Sequence, residues 1–166
     1  MNEKEPRPLH LWLDADACPQ PIRAILFRVA ERRQLRLTLV ANSISRVPNS
    51  EFIRAIGVAH GADSADKKIV ELMREGDIVV TADIPLAAAA VEAGGIALGM
   101  RGELFDEASV KSRLASRNLM EHLRASGMET SGPKPHSQKD TQTFANQIDK
   151  LITRLLKTSS RPKSDS

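Results

Sequence analysis

The sequence predicts an α/β fold, a three-layer, mostly parallel sheet of about five strands followed by two C-terminal helices. The first observation behind this prediction is that short apolar runs alternate with segments of helical periodicity as far as Gly99. Such alternation is typical of βαβ units. The second observation is that the chain beyond Gly102 carries two long helical patterns and no further strand-like run.

Length and composition are those of an ordinary globular protein. The chain has 166 residues, of which 41% are hydrophobic and 27% charged, and a single cysteine, Cys18. We expect one domain over residues 1–157 and a disordered polar tail over residues 158–166. No segment is apolar enough to cross a membrane or to serve as a signal peptide, so we expect a cytoplasmic protein with no membrane partner. The oligomeric state is left open.

The first two strands enclose a helix. The apolar run at residues 9–13 is short and bounded by turn residues, which predicts strand one. Pro19 and Pro21 suit the first turn of a helix, and apolar residues at helical spacing continue it to Arg33. Residues 35–41 alternate at first and then become wholly apolar, which predicts strand two.

The middle of the chain is predicted to contain a short strand between two helices. We expect a short helix over residues 50–56 and a third strand over residues 57–60. A helix over residues 63–75 follows, since its apolar residues recur at helical spacing and Gly76 is a typical helix end.

Two further strands complete the predicted sheet. Residues 78–81 predict strand four, and an alanine-rich helix follows from Asp83 to residue 93, where two glycines end it. Residues 96–98 predict strand five.

Two helices make up the predicted C-terminal part. The first covers residues 106–126 and is capped by Asp106. A connector rich in glycine and proline, residues 131–136, separates it from an amphipathic helix over residues 137–157.

Acidic residues stand where the strands end. Asp14 and Asp16 follow strand one, and Asp83 follows strand four. Because the carboxyl ends of parallel strands meet at one edge of a sheet, we expect these three side chains to converge. Asp63 and Asp66 open the helix between those strands and complete the candidate metal-binding set. Carboxylate oxygens are the ligands of Mg²⁺ or Mn²⁺, and two such ions at a phosphodiester activate water and stabilise the leaving oxygen.

Each of these residues also has a purely structural interpretation. Asp63 and Asp66 fit a helix capping box, and Asp83 fits a helix N-cap. Asp14 and Asp16 form the more specific signal, because two carboxylates at a buried edge repel each other unless a cation lies between them. Cys18 is interpreted as a small packed residue and not as a nucleophile.

Four residues are predicted to bind the phosphate of a substrate. Arg46 and Arg101 lie in loops that follow strands, Arg117 lies on a helix surface, and Ser137 belongs to the connector that precedes the last helix. Ser137 also fits a capping box with Asp140. The net charge of +3 permits a phosphate-bearing partner such as RNA, while an aromatic content of 3% argues against stacked bases as the main contact.

Several motifs resemble the YaiI/YqxD family of bacterial proteins. They are DADACP at residues 14–19, RVP at 46–48, GDIVVTADIPLA at 76–87, MRGE at 100–103 and LRASG at 123–127. These motifs keep their order over nearly the whole chain.

The resemblance implies a PIN-like fold, whose better-known members are metal-dependent ribonucleases. By that resemblance Asp14, Asp66 and Asp83 form the catalytic and metal-binding set, with Asp16 and Asp63 as supports. The chain departs from the PIN pattern in carrying Asp66 where a glutamate is usual. Nuclease activity is thus an expectation by analogy of fold.

The predicted function is therefore a divalent-metal-dependent nuclease or phosphoesterase. One alternative is a phosphatase similar to the haloacid dehalogenases, with Asp14 as nucleophile and Asp16 as general acid. The other is a non-catalytic module that binds RNA or a ribonucleoprotein. Loss of Asp14 should abolish activity in an enzyme and leave binding intact or tighter in a plain binder.

Overall fold

The computed structural model describes residues 8–43, 46–59, 61, 64–129 and 134–160, with only the backbone described for residues 158–160. Within these residues the chain forms six strands and five helices. They follow in the order β1 (His10–Asp14), α1 (Gln20–Arg33), β2 (Arg36–Ala41), β3 (Ile53–Gly57), α2 (Ser64–Leu72), β4 (Ile78–Val80), α3 (Ile84–Glu92), β5 (Ile96–Leu98), β6 (Leu104–Phe105), α4 (Glu107–Ala125) and α5 (Gln138–Ser160).

The sheet has the strand order β3-β2-β1-β4-β5-β6, and every pairing except that of β5 with β6 is parallel. The chain moves outward from β1 to β3 and then returns to place β4 on the other side of β1. This reversal leaves a crevice outside the carboxyl ends of β1 and β4, the position at which open α/β sheets bind ligands. The register aligns Leu13 with Val80, so both strands end at the same level.

Helices cover both faces of the sheet, which confirms the predicted three-layer α/β fold. Successive residues of β1 point to opposite faces, so Leu11 and Leu13 pack with α1 and α5. Trp12 lies on the other face, in the core formed with α2, α3 and α4. In α5, Phe144 and Ile148 are fully buried, as the amphipathic pattern of this helix predicts.

The prediction for residues 50–60 was wrong. A strand, β3, occupies Ile53–Gly57 where the sequence pattern indicated a helix, and it pairs with β2 in a register that runs from Leu37↔Ile53 to Ala41↔Gly57. An edge strand is stabilised by hydrogen bonds to its neighbour, and its own residues show little periodicity. The two-residue strand β6 was also missed. It is too short to show a periodic pattern in the sequence, and it is defined by its antiparallel pairing with β5.

The last helix extends further than its apolar pattern. Helix α5 continues through Ser160, so the first three residues of the predicted tail are helical, and residues 161–166 lie outside the described residues. The predicted N-cap of α4 is confirmed, since the Asp106 side chain accepts the Ser109 N–H in a capping box. Among the described helices, none has the length and apolar character needed to cross a membrane.

A buried hydrogen bond joins the middle of β1 to the residue that precedes β4. The Trp12 indole N–H donates to Asp77 Oδ2 over 3.0 Å, and the Arg74 backbone N–H donates to the same oxygen. Trp12 is 1% exposed and Asp77 is 3% exposed. This bond therefore satisfies a donor that has no access to water.

We expect Asp77→Ala to lower the free energy of unfolding by about 2–3 kcal/mol, because it leaves the buried indole donor without an acceptor. Asp77→Asn keeps a carbonyl oxygen there and should cost less. Urea denaturation measures both, with a substitution at an exposed residue of α1, Glu31→Ala, as the control. Equal stability of Asp77→Ala and the wild type would contradict this role.

Candidate functional site

Four carboxylates line one cavity at the carboxyl edge of the sheet. This acidic cavity has a volume of about 350 Å³ and contains Asp14, Asp16, Asp66 and Asp83 in its wall. The predicted convergence of strand-end aspartates is thus what the structure shows. The fifth predicted residue, Asp63, lies outside the described residues.

A threonine that the sequence reasoning missed connects two of these carboxylates. Thr81 follows β4 and is fully buried. Its hydroxyl donates to Asp14 Oδ2 over 2.9 Å and accepts the backbone N–H of Asp83, also over 2.9 Å. The only sequence signal for this residue is its place between a buried strand and Asp83.

Asp16 lies in a tight turn after β1. The Ala15 N–H donates to the Val40 carbonyl, while Ala17 adopts a left-handed backbone conformation with φ of 61°. Both carboxylate oxygens of Asp16 accept the backbone N–H of Asn42, at 3.1 and 3.0 Å. Asp16 therefore ties the end of β1 to the end of β2. A non-glycine residue with positive φ is strained, and such strain concentrates at functional sites.

Asp83 serves as a helix cap and as a cavity residue at once. Its Oδ1 accepts the Leu86 N–H over 3.0 Å, which is the N-cap interaction that the sequence suggested. This bond engages one oxygen and leaves the carboxylate in the wall of the acidic cavity. Asp66 reaches the same cavity from the first turn of α2.

Burial and like charge act together on Asp14. The pKa of this carboxyl is raised from 3.8 to about 6: burial is the largest cause, the charges of Asp83 and Asp16 act in the same direction, and the Thr81 hydrogen bond opposes them. The ionised form of Asp14 is thus held at a free-energy cost in the folded protein. A cation in the cavity would reduce that cost.

Cys18 stands close to this edge but lacks the properties of a nucleophile. Burial raises the pKa of its thiol to about 11, with the Arg23 charge opposing the shift. The thiol is consequently protonated near neutral pH, as expected for a residue that serves packing.

The oxygen donors fit a hydrated cation better than a preformed metal cage. Within the described residues, no three His, Cys, Asp or Glu side chains stand close enough to hold a metal ion together. Mg²⁺ commonly uses one or two protein carboxylates and completes its shell with water and substrate phosphate. The hydrogen bonds of the described residues engage one oxygen of Asp14 and one of Asp83, so one oxygen of each suits such an ion.

Asn42 is a further oxygen-bearing residue that the sequence reasoning did not single out. It lines the acidic cavity, and its Oδ1 is buried without a hydrogen-bond partner among the described residues. Asn42 therefore adds a buried, unpaired acceptor to the wall that the carboxylates form.

The four predicted phosphate-binding residues are dispersed around this edge. Arg117 lines a second cavity that also contains Asp66 and Asp83, and its Nε lies 3.6 Å from Glu121. Arg46 is exposed on the loop after β2 and does not line the acidic cavity. Arg117 therefore shares a cavity with two of the predicted site carboxylates, Asp66 and Asp83, whereas Arg46 does not line the acidic cavity.

Arg101 and Ser137 hold the connector before α5. Arg101 pairs with Asp140 over 2.8 Å and also donates to the carbonyls of Lys134 and Pro135. Ser137 and Asp140 form the predicted capping box, at 3.0 and 3.1 Å. Residues 134–137 are in this way fastened to the loop after β5, next to the carboxyl edge of the sheet.

Comparison with known families agrees with the motifs. The family model described as "Uncharacterized BCR, YaiI/YqxD family" matches residues 12–154. The chain belongs to the YaiI/YqxD family. Similar members of this family include the "UPF0178 protein" of Dechloromonas aromatica, 52% identical over 147 residues, which covers 89% of this chain and 98% of that protein. A namesake in Shewanella amazonensis is 52% identical over 149 residues, with 90% and 100% of the two chains covered.

A further YaiI/YqxD relative is covered over most of its length. The "UPF0178 protein in pahZ1 5'region" of Paucimonas lemoignei is 53% identical over 146 residues, 88% of this chain and 95% of that protein. No solved structure is significantly similar to the chain. The relatives' names therefore place the chain in the YaiI/YqxD family and state no activity for it.

We expect Asp14→Asn to raise the free energy of unfolding at pH 8 by about 1–2 kcal/mol and to change it little at pH 4. The pKa of Asp14 is higher in the folded chain, about 6, than the 3.8 of an unfolded one, so wild-type stability from this group falls as pH rises from about 4 to about 6. Partial access to water makes the effect smaller than the full pKa difference implies.

Urea denaturation at both pH values measures this difference, and Glu31→Gln is the control because it removes an exposed carboxylate of α1. Asparagine retains an acceptor for the Thr81 hydroxyl, so the substitution isolates the charge. A variant less stable than the wild type at pH 8 would show that the buried charge is compensated within the protein.

Proposed function

We propose that this chain is a divalent-metal-dependent hydrolase of phosphoesters, a nuclease or phosphoesterase, that acts at the acidic cavity. The observation that carries the proposal is the convergence of Asp14, Asp66 and Asp83 on one cavity at the reversal point of a parallel sheet. Carboxylates gathered at one edge repel each other and favour a bound cation. A phosphate ester is a substrate that such a cation would bind and polarise.

The roles of the residues follow from their contacts. In this proposal Asp14 and Asp83 hold the ion through the oxygens that Thr81 and Leu86 leave unused. Thr81 keeps the two carboxylates in place, and Asp66 completes the site or orients a water molecule. When bound, Mg²⁺ or Mn²⁺ supplies activation of that water and stabilisation of the leaving oxygen.

The contacts of Asp16 favour this proposal over a phosphatase that resembles the haloacid dehalogenases. In that alternative Asp16 has to deliver a proton to the leaving group. Here both of its oxygens accept the Asn42 N–H, which fixes the side chain at the end of β2 and engages the oxygens that would have to deliver the proton. Asp16 thus suits a supporting role.

The alternative of a plain RNA-binding module has weaker physical support. A protein that binds phosphate without a cation gains nothing from four carboxylates at its binding edge, since they repel the ligand. With such a module, Asp14→Asn should bind RNA as well as the wild type or more tightly, whereas the proposed hydrolase should lose metal-dependent binding.

We expect the wild-type protein to bind Mn²⁺, and Asp14→Asn and Asp83→Asn each to weaken that binding about tenfold or more, because each removes a charged oxygen ligand. Isothermal titration calorimetry measures the affinity, and circular dichroism checks the fold. Asparagine is a good N-cap, so Asp83→Asn should keep α3 intact.

The matched control is Asp149→Asn, which removes a carboxylate from the exposed surface of α5 and should leave Mn²⁺ binding unchanged. A wild-type protein that binds no Mn²⁺, even with a nucleotide present, would overturn the proposal. A cleavage screen over RNA and small phosphoesters is the next step if binding is found.

A further inference from the structure

Helix α4 carries apolar residues on a side that faces away from the rest of the protein. Among its described residues Val110 is the one that is buried, and Leu114, four positions later, is partly buried in the same core. Leu119 and Leu123 follow these two residues by about two and a half helical turns each. The two later leucines therefore lie on the opposite side of the helix from the two that pack on the domain.

The second half of α4 is exposed to solvent on all sides. Residues 115–126 are exposed or partly exposed, and Leu119 is 57% exposed. After the helix, Gly127 has a φ of 87° and the Met128 N–H donates to the Leu123 carbonyl over 3.0 Å, which brings Met128, 58% exposed, beside Leu123. Because helices gain most of their stability from packing an apolar side, this half of α4 is suited to a partner.

Five residues on this side of α4 have the spacing of a coiled-coil seam. This outer seam consists of Ser112, Ser116, Leu119, Leu123 and Ser126. Alternate steps of four and three residues keep such a seam against a second helix along its length. A twofold interface sets one surface against itself. Antiparallel pairing about Leu119 then places Leu123 near Ser116 of the second copy, and Ser112 near its Ser126, so that large residues meet small ones.

The charges beside the outer seam favour an identical partner over a polyanion. The flanking positions are occupied by Arg113, Ala115, Met120 and His122. Arg113 is paired with Glu103 over 3.0 Å. An anionic membrane or a nucleic acid is attracted by a row of cations beside the apolar side, which these flanks do not provide. An identical copy requires flanks that do not repel each other, and antiparallel pairing places Arg113 far from its own equivalent.

We infer that α4 is a self-association surface, which pairs with α4 of a second copy of this chain in antiparallel orientation, through the outer seam and about a twofold axis next to Leu119. This inference goes beyond the proposed function and does not depend on it, since no residue of the outer seam lines the acidic cavity.

Sedimentation equilibrium of the full-length protein tests the association. A single pair of helices covers less than the roughly 800 Å² per partner of a standard interface, so we expect a weak dimer with a Kd of about 10–100 µM. Leu119→Glu should raise that Kd at least about tenfold, because it brings two like charges together at the twofold axis. Circular dichroism and urea denaturation should show an intact fold, since Leu119 is exposed in the single chain.

The matched control is Leu104→Glu, which adds the same charge at a leucine of β6 that is 41% exposed. Its Kd for dimerisation should stay within about twofold of the wild-type value, as expected for an exposed position outside the interface. This control also tests association through the edge of the sheet, because an exposed edge strand is the other common surface for pairing of identical chains.

Disulfide crosslinking tests the orientation. In a Cys18→Ala background, with copper phenanthroline as oxidant, Leu119→Cys should form crosslinked dimers by itself, because the twofold axis brings its two copies together. Ser126→Cys alone should crosslink far less, whereas an equal mixture of Ser112→Cys and Ser126→Cys chains should crosslink with each other.

The possible outcomes all bear on the inference. A wild-type protein that stays monomeric to about 500 µM would overturn it, as would a dimer that Leu104→Glu weakens and Leu119→Glu does not. Efficient crosslinking of Ser126→Cys alone would show parallel pairing and would also overturn it. If the protein is monomeric and sediments with phosphatidylglycerol vesicles in a manner that Leu119→Glu abolishes, a membrane surface covers the outer seam instead. None of these results changes the Mn²⁺ test of the acidic cavity.

Discussion

The pairing of β1 with β4, completed by the hydroxyl of Thr81, is the constraint on which the candidate site depends. These two strands are far apart in the chain, yet their register places Asp14 and Asp83 at the same edge. Thr81 donates to the first residue and accepts from the backbone of the second, so one buried hydroxyl joins the two carboxylate-bearing segments. Because the hydroxyl is fully buried, neither bond can be exchanged for water without opening the sheet.

Several features near Thr81 lower the stability of the folded protein, and packing in the core has to compensate for them. Four carboxylates share one small cavity, burial opposes the charge of Asp14, and Ala17 holds a left-handed conformation beside them. The two layers of helices bury β1 on both faces, and this packing keeps the strand end in place despite the repulsion. Such local conflict inside a well-packed fold is typical of a site under functional demand.

The surroundings of the carboxylates extend the site beyond the sheet edge. Helix α2 brings Asp66 and Val70, α3 brings Asp83 and Pro85, and the loop after β5 brings Arg101. Helices α2 and α3 therefore line both the acidic cavity and the cavity between them that contains Arg117, whereas Arg101 fastens the residues before α5. The candidate site is in this way built on rigid elements, which favours a fixed geometry.

The sequence by itself determined the α/β class, the strand ends at Asp14 and Asp83, and the helical C-terminal part, because these depend on local periodicity and on turn and cap residues. It misplaced β3 and missed β6, since short edge strands are defined by hydrogen bonds to a distant partner. Only the tertiary structure decided three interactions of the site. They are the hydrogen bonds of Thr81, those between the Asp16 carboxylate and the Asn42 N–H, and the ion pair by which Arg101 holds the residues before α5. These interactions join residues remote in sequence, and nothing in the local pattern of either partner specifies the other.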